Sequence, residues 1–300
     1  MKLLLFILSL NCFTQSVNLK QLQYHYLLSK SSIELKQTFK IKKFRHFKGE
    51  LTTEDPIHKS KVLKAPFQFF KVSDDAPTVF LFPAIAGTLP PIIEQVLAVK
   101  FAKNGYNAVI VELVEDIYDL SRKVEEIDYF LKRSTISFGL LKSMLIKEGL
   151  IHPSELFAAG TSLGGIRASF ALSVDKDIKK AFVWVAGGDL PQIMTNSEVK
   201  VIADLRDTKM KEYGLKSKSE YHQLLNKHIK IKPMDFAHLR SREDIFMVLA
   251  SDDHLVPTIN QFKLLHAFGY PKYKLIQGGH RRTGSDFMFD FKSVIEFFQK

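Results

Sequence analysis

The chain of 300 residues is 46% hydrophobic and 25% charged, a balance that fits one large folded domain with a sizeable core and excludes a disordered or low-complexity protein. Its 43 basic residues outnumber the 32 acidic ones, a net charge of +11, yet the sequence holds no nucleic-acid-binding module and no interleaved aromatic platform, so the excess reads as a solvated basic surface. Cys12 is the single cysteine, which excludes an internal disulfide, a cysteine-ligated zinc site and a thiol nucleophile in the folded part.

From the start of the chain, Met1-Lys2 precedes the apolar run Leu3 to Leu10, after which polarity rises. A charged start and a short apolar segment have the form of a secretory signal, too short to span a bilayer. Thr14-Gln15-Ser16 offers small residues at a cleavage spacing, giving a signal peptide over residues 1–16 and a domain over 17–300. Cys12 as an acylated lipoprotein residue is the alternative, although Ser9-Leu10-Asn11 is a poor lipoprotein box. Either way the expected location is exported, periplasmic or secreted.

A leading antiparallel pair is expected at 37 to 48 and 67 to 72, and from Thr78 strands and helices alternate. Strands are expected at 78 to 82, 107 to 112, 155 to 159, 180 to 185, 244 to 250 and 273 to 276. Helices are expected at 91 to 104, 121 to 149, 163 to 173, 257 to 268 and 285 to 299. Helices of this length between strands imply a mostly parallel sheet covered on both faces. About 58 residues between Val185 and Asp244 interrupt the alternation. This segment is expected to form a helical cap, about 187–240, over the strand ends, with Ile193, Met194, Val199, Val201, Ile202 and Leu205 on its apolar underside.

Three segments carry chemistry. Phe157-Ala158-Ala159-Gly160-Thr161-Ser162-Leu163-Gly164-Gly165 is an apolar run that enters a Gly-x-Ser-x-Gly and then a helix, the strand, turn and helix that lift a serine hydroxyl clear of a sheet. After the strand at 244 to 250 comes Ser251-Asp252-Asp253-His254-Leu255-Val256-Pro257, and after the last strand Gln277-Gly278-Gly279-His280. The order Ser, acid, His is the one this turn requires. His254 shares the acid's turn and reads as a solvated or capping group, while the remaining histidines have no His-x-x-x-His metal spacing.

On these residues the chain resembles the α/β-hydrolases from about residue 65 onwards. The resemblance implies the α/β-hydrolase fold with a mostly parallel central sheet, helices on both faces and the cap insertion. It also implies a serine hydrolase without cofactor or metal. Ser162 is the expected nucleophile, His280 its base and Asp253 the acid in an Asp-x-x-Val-Pro turn, which Asp252 fits less well. The oxyanion donors are expected to be the N–H groups of Leu163 and of Ile85, with Ala84 second, on the loop Pro83-Ala84-Ile85-Ala86-Gly87. Pro83-Ala84 replaces the His-Gly common at the start of that loop in the family.

Ala84, Thr161 and Arg281 are expected to contact substrate, and Arg281-Arg282 either lower the imidazole pKa by like-charge repulsion or bind an anionic substrate group. The expected reaction is cleavage of a carboxylic ester through an acyl-enzyme. The alternatives are a serine peptidase of prolyl-oligopeptidase-like type and a catalytically silent envelope-binding protein on the same fold. Expected partners are a small-molecule acyl substrate, no nucleic acid and peripheral contact with an anionic envelope surface, the chain being a monomer or homo-oligomer.

Overall fold

The computed structural model describes residues 19–84, 91–113, 115, 117–280, 282–283 and 291–300, with only the backbone of 20 and 21. The expected signal segment therefore lies outside the described residues.

Six strands form the parallel part of the sheet: β4 (Thr78–Phe82), β5 (Asn107–Val111), β6 (Leu156–Thr161), β7 (Ile178–Trp184), β8 (Ile245–Ala250) and, exposed at the edge, β9 (Lys272–Ile276). Every residue of β4, β5 and β8 is buried, as expected where helices cover both faces of a strand. Ahead of them stand β1 (Ser32–Lys40), β2 (Arg45–Glu54) and β3 (Val62–Lys71), each antiparallel to its neighbour. The nine strands run in the order β1-β2-β3-β5-β4-β6-β7-β8-β9, with β3 antiparallel to β5 and all later pairings parallel.

The leading pair expected at 37 to 48 and 67 to 72 is corrected by this arrangement. The first expected strand straddles the turn between β1 and β2, and three strands take the place of two. The turn at 41 to 44 holds neither Gly nor Pro, so nothing in the local sequence marks the reversal.

Alternation along β4 divides the core. Phe80 and Phe82 face the side occupied by α2 (Glu126–Lys147) and α3 (Leu163–Val174), where both phenylalanines pack edge-on against Phe138. Val79 and Leu81 face α1 (Ile92–Lys103) and α9 (Phe291–Gln299), where Phe101, Phe157, Phe297 and Phe298 pack together. The last helix is described from Phe291 to Gln299, and residues 285 to 290 of its expected span lie outside the described ones.

The segment expected to be a cap contains α4 (Leu190–Asn196), α5 (Lys200–Glu212), α6 (Lys218–His228) and the short α7 (Pro233–Phe236). It is tied to the first turns of α2, because the carboxylate of buried Asp128 accepts the N–H groups of Lys230 and Ile231 at 2.9 and 3.1 Å. Ile193, Met194, Ile202 and Leu205 are buried. Val199 is half-buried and Val201 exposed, a correction to the expected apolar underside: on a helix, neighbouring positions point about 100° apart, and here Ile202 faces the core while Val201 faces outward. Finally, α8 (Thr258–Ala267) joins β8 to β9.

Candidate active site

Ser162 sits between β6 and α3 with φ 55° and ψ −121°, a conformation that side chains other than glycine adopt only under strain. Its N–H donates to the Trp184 carbonyl at 2.8 Å and its carbonyl accepts from Ile166, so the strained turn is held from both ends. The two flanking glycines are required by space. A Cβ on Gly160 would lie 2.2 Å from the Gly164 carbonyl oxygen, and one on Gly164 would lie 1.9 Å from that of Phe82. Strand, helix and the end of β4 therefore meet at backbone contact around the serine. Leu163 opens α3, where the first N–H groups have no acceptor within the helix.

Asp253 lies just past β8, and its side chain is fully buried. One carboxylate oxygen accepts the N–H groups of Leu255 and Val256 at 2.9 and 3.0 Å. The other accepts the Gln261 amide at 2.8 Å and meets His280 Nδ1 at 2.7 Å. Four partners fix the carboxylate, and a bond at Nδ1 leaves Nε2 as the ring nitrogen turned away from the acid. The loops that carry the two residues are laced together, Asp252 N–H donating to the Gly278 carbonyl at 3.1 Å and Gly278 N–H to the Ser251 hydroxyl at 3.1 Å. Gly278, at φ 137°, takes a backbone conformation that other residues rarely adopt. Asp252 and His254 are exposed and paired with each other, in keeping with the reading of His254 as a solvated group.

Ser162, Asp253 and His280 thus follow the C-terminal ends of β6, β8 and β9, all on one edge of the sheet, and the acid and the imidazole are in direct contact. Ile85 and Arg281 lie outside the described residues. The N–H of Ala84 donates to the Glu94 carboxylate at 3.2 Å. Thr161 is half-buried and lines a small cavity with Glu94, Phe82 and Gly160.

Two contributors escaped the sequence reading. Gln261 is completely buried on α8, donating to Asp253 and to the Val256 carbonyl while accepting the Ala250 N–H, so it braces the acid against its own strand. Nothing in Thr258-Ile259-Asn260-Gln261 marks it, because its role arises only when α8 folds back on β8. Glu94 is the one acid of α1 and stands beside Ile92, Ile93 and Val96. Burial raises its carboxyl pKa, which the bond from Ala84 and the nearby Arg167 oppose. Arg167 on α3 is also buried; it donates to Ser134 at 2.7 Å and to the Val111 carbonyl at 3.0 Å, lies 5.0 Å from the Phe82 ring centre, and has its pKa lowered to about 9 by desolvation. Among the described residues, no group of His, Cys, Asp and Glu is arranged to hold a metal ion.

No protein-family model matches the chain, and no curated protein sequence does. Solved structures do. An acetyl xylan esterase from a Thermoanaerobacterium species superposes with a TM-score of 0.69 at 11% identity, covering 93% of this chain and 91% of that one. An acetyl xylan esterase from a Paenibacillus species gives 0.67 at 11% identity, with 93% and 90% covered. The acylaminoacyl peptidase of Pyrococcus horikoshii gives 0.55 at 14% identity over 85% of this chain but only 48% of its own length. The protein has the α/β-hydrolase fold: a nine-stranded, mostly parallel sheet flanked by helices, with a serine turn between β6 and α3.

Proposed function

We propose that the protein is an exported serine hydrolase that cleaves a carboxylic ester through an acyl-enzyme. The observation that carries this reading is the buried Asp253 bonded to His280 Nδ1 on the same sheet edge as Ser162 in its strained turn. The His280 imidazole takes the hydroxyl proton as Ser162 attacks the acyl carbon, and Asp253 balances the imidazolium charge and holds the tautomer. The tetrahedral oxyanion is met by the Leu163 N–H at the start of α3, with Ile85 proposed as second donor. The imidazolium then protonates the leaving alkoxide, and water, activated by the same base, releases the acid. The likeness to acetyl xylan esterases over nine-tenths of both chains favours an ester, whereas the chain spans about half the length of the peptidase it resembles. The cap at 187–240 is proposed to wall the acyl pocket, and residues 1–16 to direct export.

Labelling of the purified protein with a fluorophosphonate probe tests the site, followed by turnover of short- and long-chain p-nitrophenyl esters. Labelling that is lost in Ser162→Ala is the expected result. Absence of labelling in folded protein would sink the hydrolase reading and leave a binding protein on this fold. The intact mass of the same sample, secreted from an expression host, reads whether residues 1–16 have been removed.

A further inference from the structure

The β1–β2 hairpin carries a chemical pattern that the serine site does not use. Between Leu35 and Gly49 the chain has six cations, Lys36, Lys40, Lys42, Lys43, Arg45 and Lys48, and no acid. The strand register sets like charges opposite each other, Lys36 facing Lys48 and Lys40 facing Arg45. Directly opposed like charges destabilise a two-stranded pairing. Three of the nearby carboxylates are paired with other lysines, Glu54 with Lys30, Glu50 with Lys64 and Asp74 of the adjoining turn with Lys71, which leaves Glu34 as the one acid within β1. At the tip, apolar side chains stand among the lysines. Phe39 and Ile41 are 45% and 43% exposed, and Phe39 is held outward by stacking on His46, centroids 4.7 Å apart.

Lysines on an edge strand also protect it from pairing with another chain. That role does not account for Phe39 and Ile41, which a purely protective edge would bury or replace. Exposed apolar groups within a ring of lysines match an interface with two layers, a negative surface above a hydrocarbon interior.

The position of the tip is fixed by the register. Because Phe70 pairs with Ala108 and Arg45 with Lys71, the β1–β2 turn lies at the end of the sheet where the parallel strands begin, opposite the end that carries Ser162. We propose that the β1–β2 hairpin is a peripheral docking element for an anionic phospholipid surface, with Lys36, Lys40, Lys42 and Lys43 meeting lipid headgroups and Phe39 and Ile41 entering the interface. Docked in this way, the protein turns its serine edge away from the lipid, towards substrates in the aqueous phase.

Co-sedimentation of the full-length protein with phosphatidylcholine vesicles, with and without phosphatidylserine, tests the proposal. Binding is expected only when phosphatidylserine is present and is expected to weaken as NaCl is raised. Each lysine near such a surface contributes roughly fivefold in partitioning, so the Lys40→Gln, Lys42→Gln, Lys43→Gln triple variant is expected to bind about 100-fold more weakly. Ile41→Ser is expected to weaken binding while leaving its salt dependence in place. Circular dichroism and thermal melting establish that both variants are folded. Equal binding to neutral vesicles, an unchanged triple variant, or binding to soluble polyphosphate without binding to vesicles would each overturn the proposal.

Discussion

At the residue scale the central tension is that Ser162 holds a non-glycine side chain at φ 55°. Such a conformation costs on the order of 1–3 kcal/mol and persists only because neighbouring bonds fix it. Here the fixing groups are the Trp184 carbonyl and the first turn of α3. Glycine adopts the same angles without the Cβ clash but carries an entropic penalty of its own. Ser162→Gly is therefore expected to stabilise the protein by about 1 kcal/mol net. Urea unfolding measures this, and a midpoint equal to or below that of the native protein would mean the turn stores no strain. The serine itself was legible, because a Gly-x-Ser-x-Gly at the junction of an apolar run and a helix is a local pattern. Gln261 was not, since its partners Ala250, Val256 and Asp253 lie five to eleven positions away and meet it only in the folded loop.

At the element scale, α1 is joined to the end of β4 by a buried charge. Glu94 accepts the Ala84 N–H from inside the helix-covered face, close to Arg167 on α3, so three elements converge on one carboxylate. Burial raises its pKa above the ordinary value of 4.5. The native chain then binds this proton more tightly than the unfolded chain does, so the contribution of Glu94 to stability is fully present below the unfolded pKa of about 4.5 and is lost as pH rises through the folded value. Glu94→Gln keeps an acceptor for Ala84 and does not titrate. Unfolding measured across that pH range is expected to show wild-type stability falling relative to the variant as pH increases. Parallel stability curves would show that the carboxyl titrates as it does in water. The same scale explains which elements could be read from the sequence. Strands β4, β5 and β8 are buried on both faces and appear as unbroken apolar runs. Strand β1 is exposed along most of its length, so its lysines and its turn without glycine or proline gave no period to follow.

At the scale of the whole molecule, the helices α4 to α7 are a long excursion between two neighbouring strands, β7 and β8, and their attachment decides whether they move independently of the sheet. The interruption itself was legible as 58 residues without a strand, but not its anchor, because Asp128 lies about a hundred positions from the backbone it holds. That carboxylate is buried, accepts from Lys230 and Ile231, and also pairs with Lys132 at 2.8 Å. Removing it leaves two backbone N–H groups without their acceptor, each worth roughly 1–3 kcal/mol where water does not reach. The sheet core keeps every one of its own contacts, since β7 and β8 pair directly with each other. Asp128→Ala should therefore loosen the excursion locally rather than unfold the molecule. Hydrogen exchange is expected to quicken by about 10- to 100-fold at residues 229 to 232 while amides of β6, β7 and β8 stay protected. Uniform acceleration across the sheet would instead mean that the excursion and the sheet open as one cooperative unit, and a rigid body rather than a moving lid would then be the correct picture of that segment.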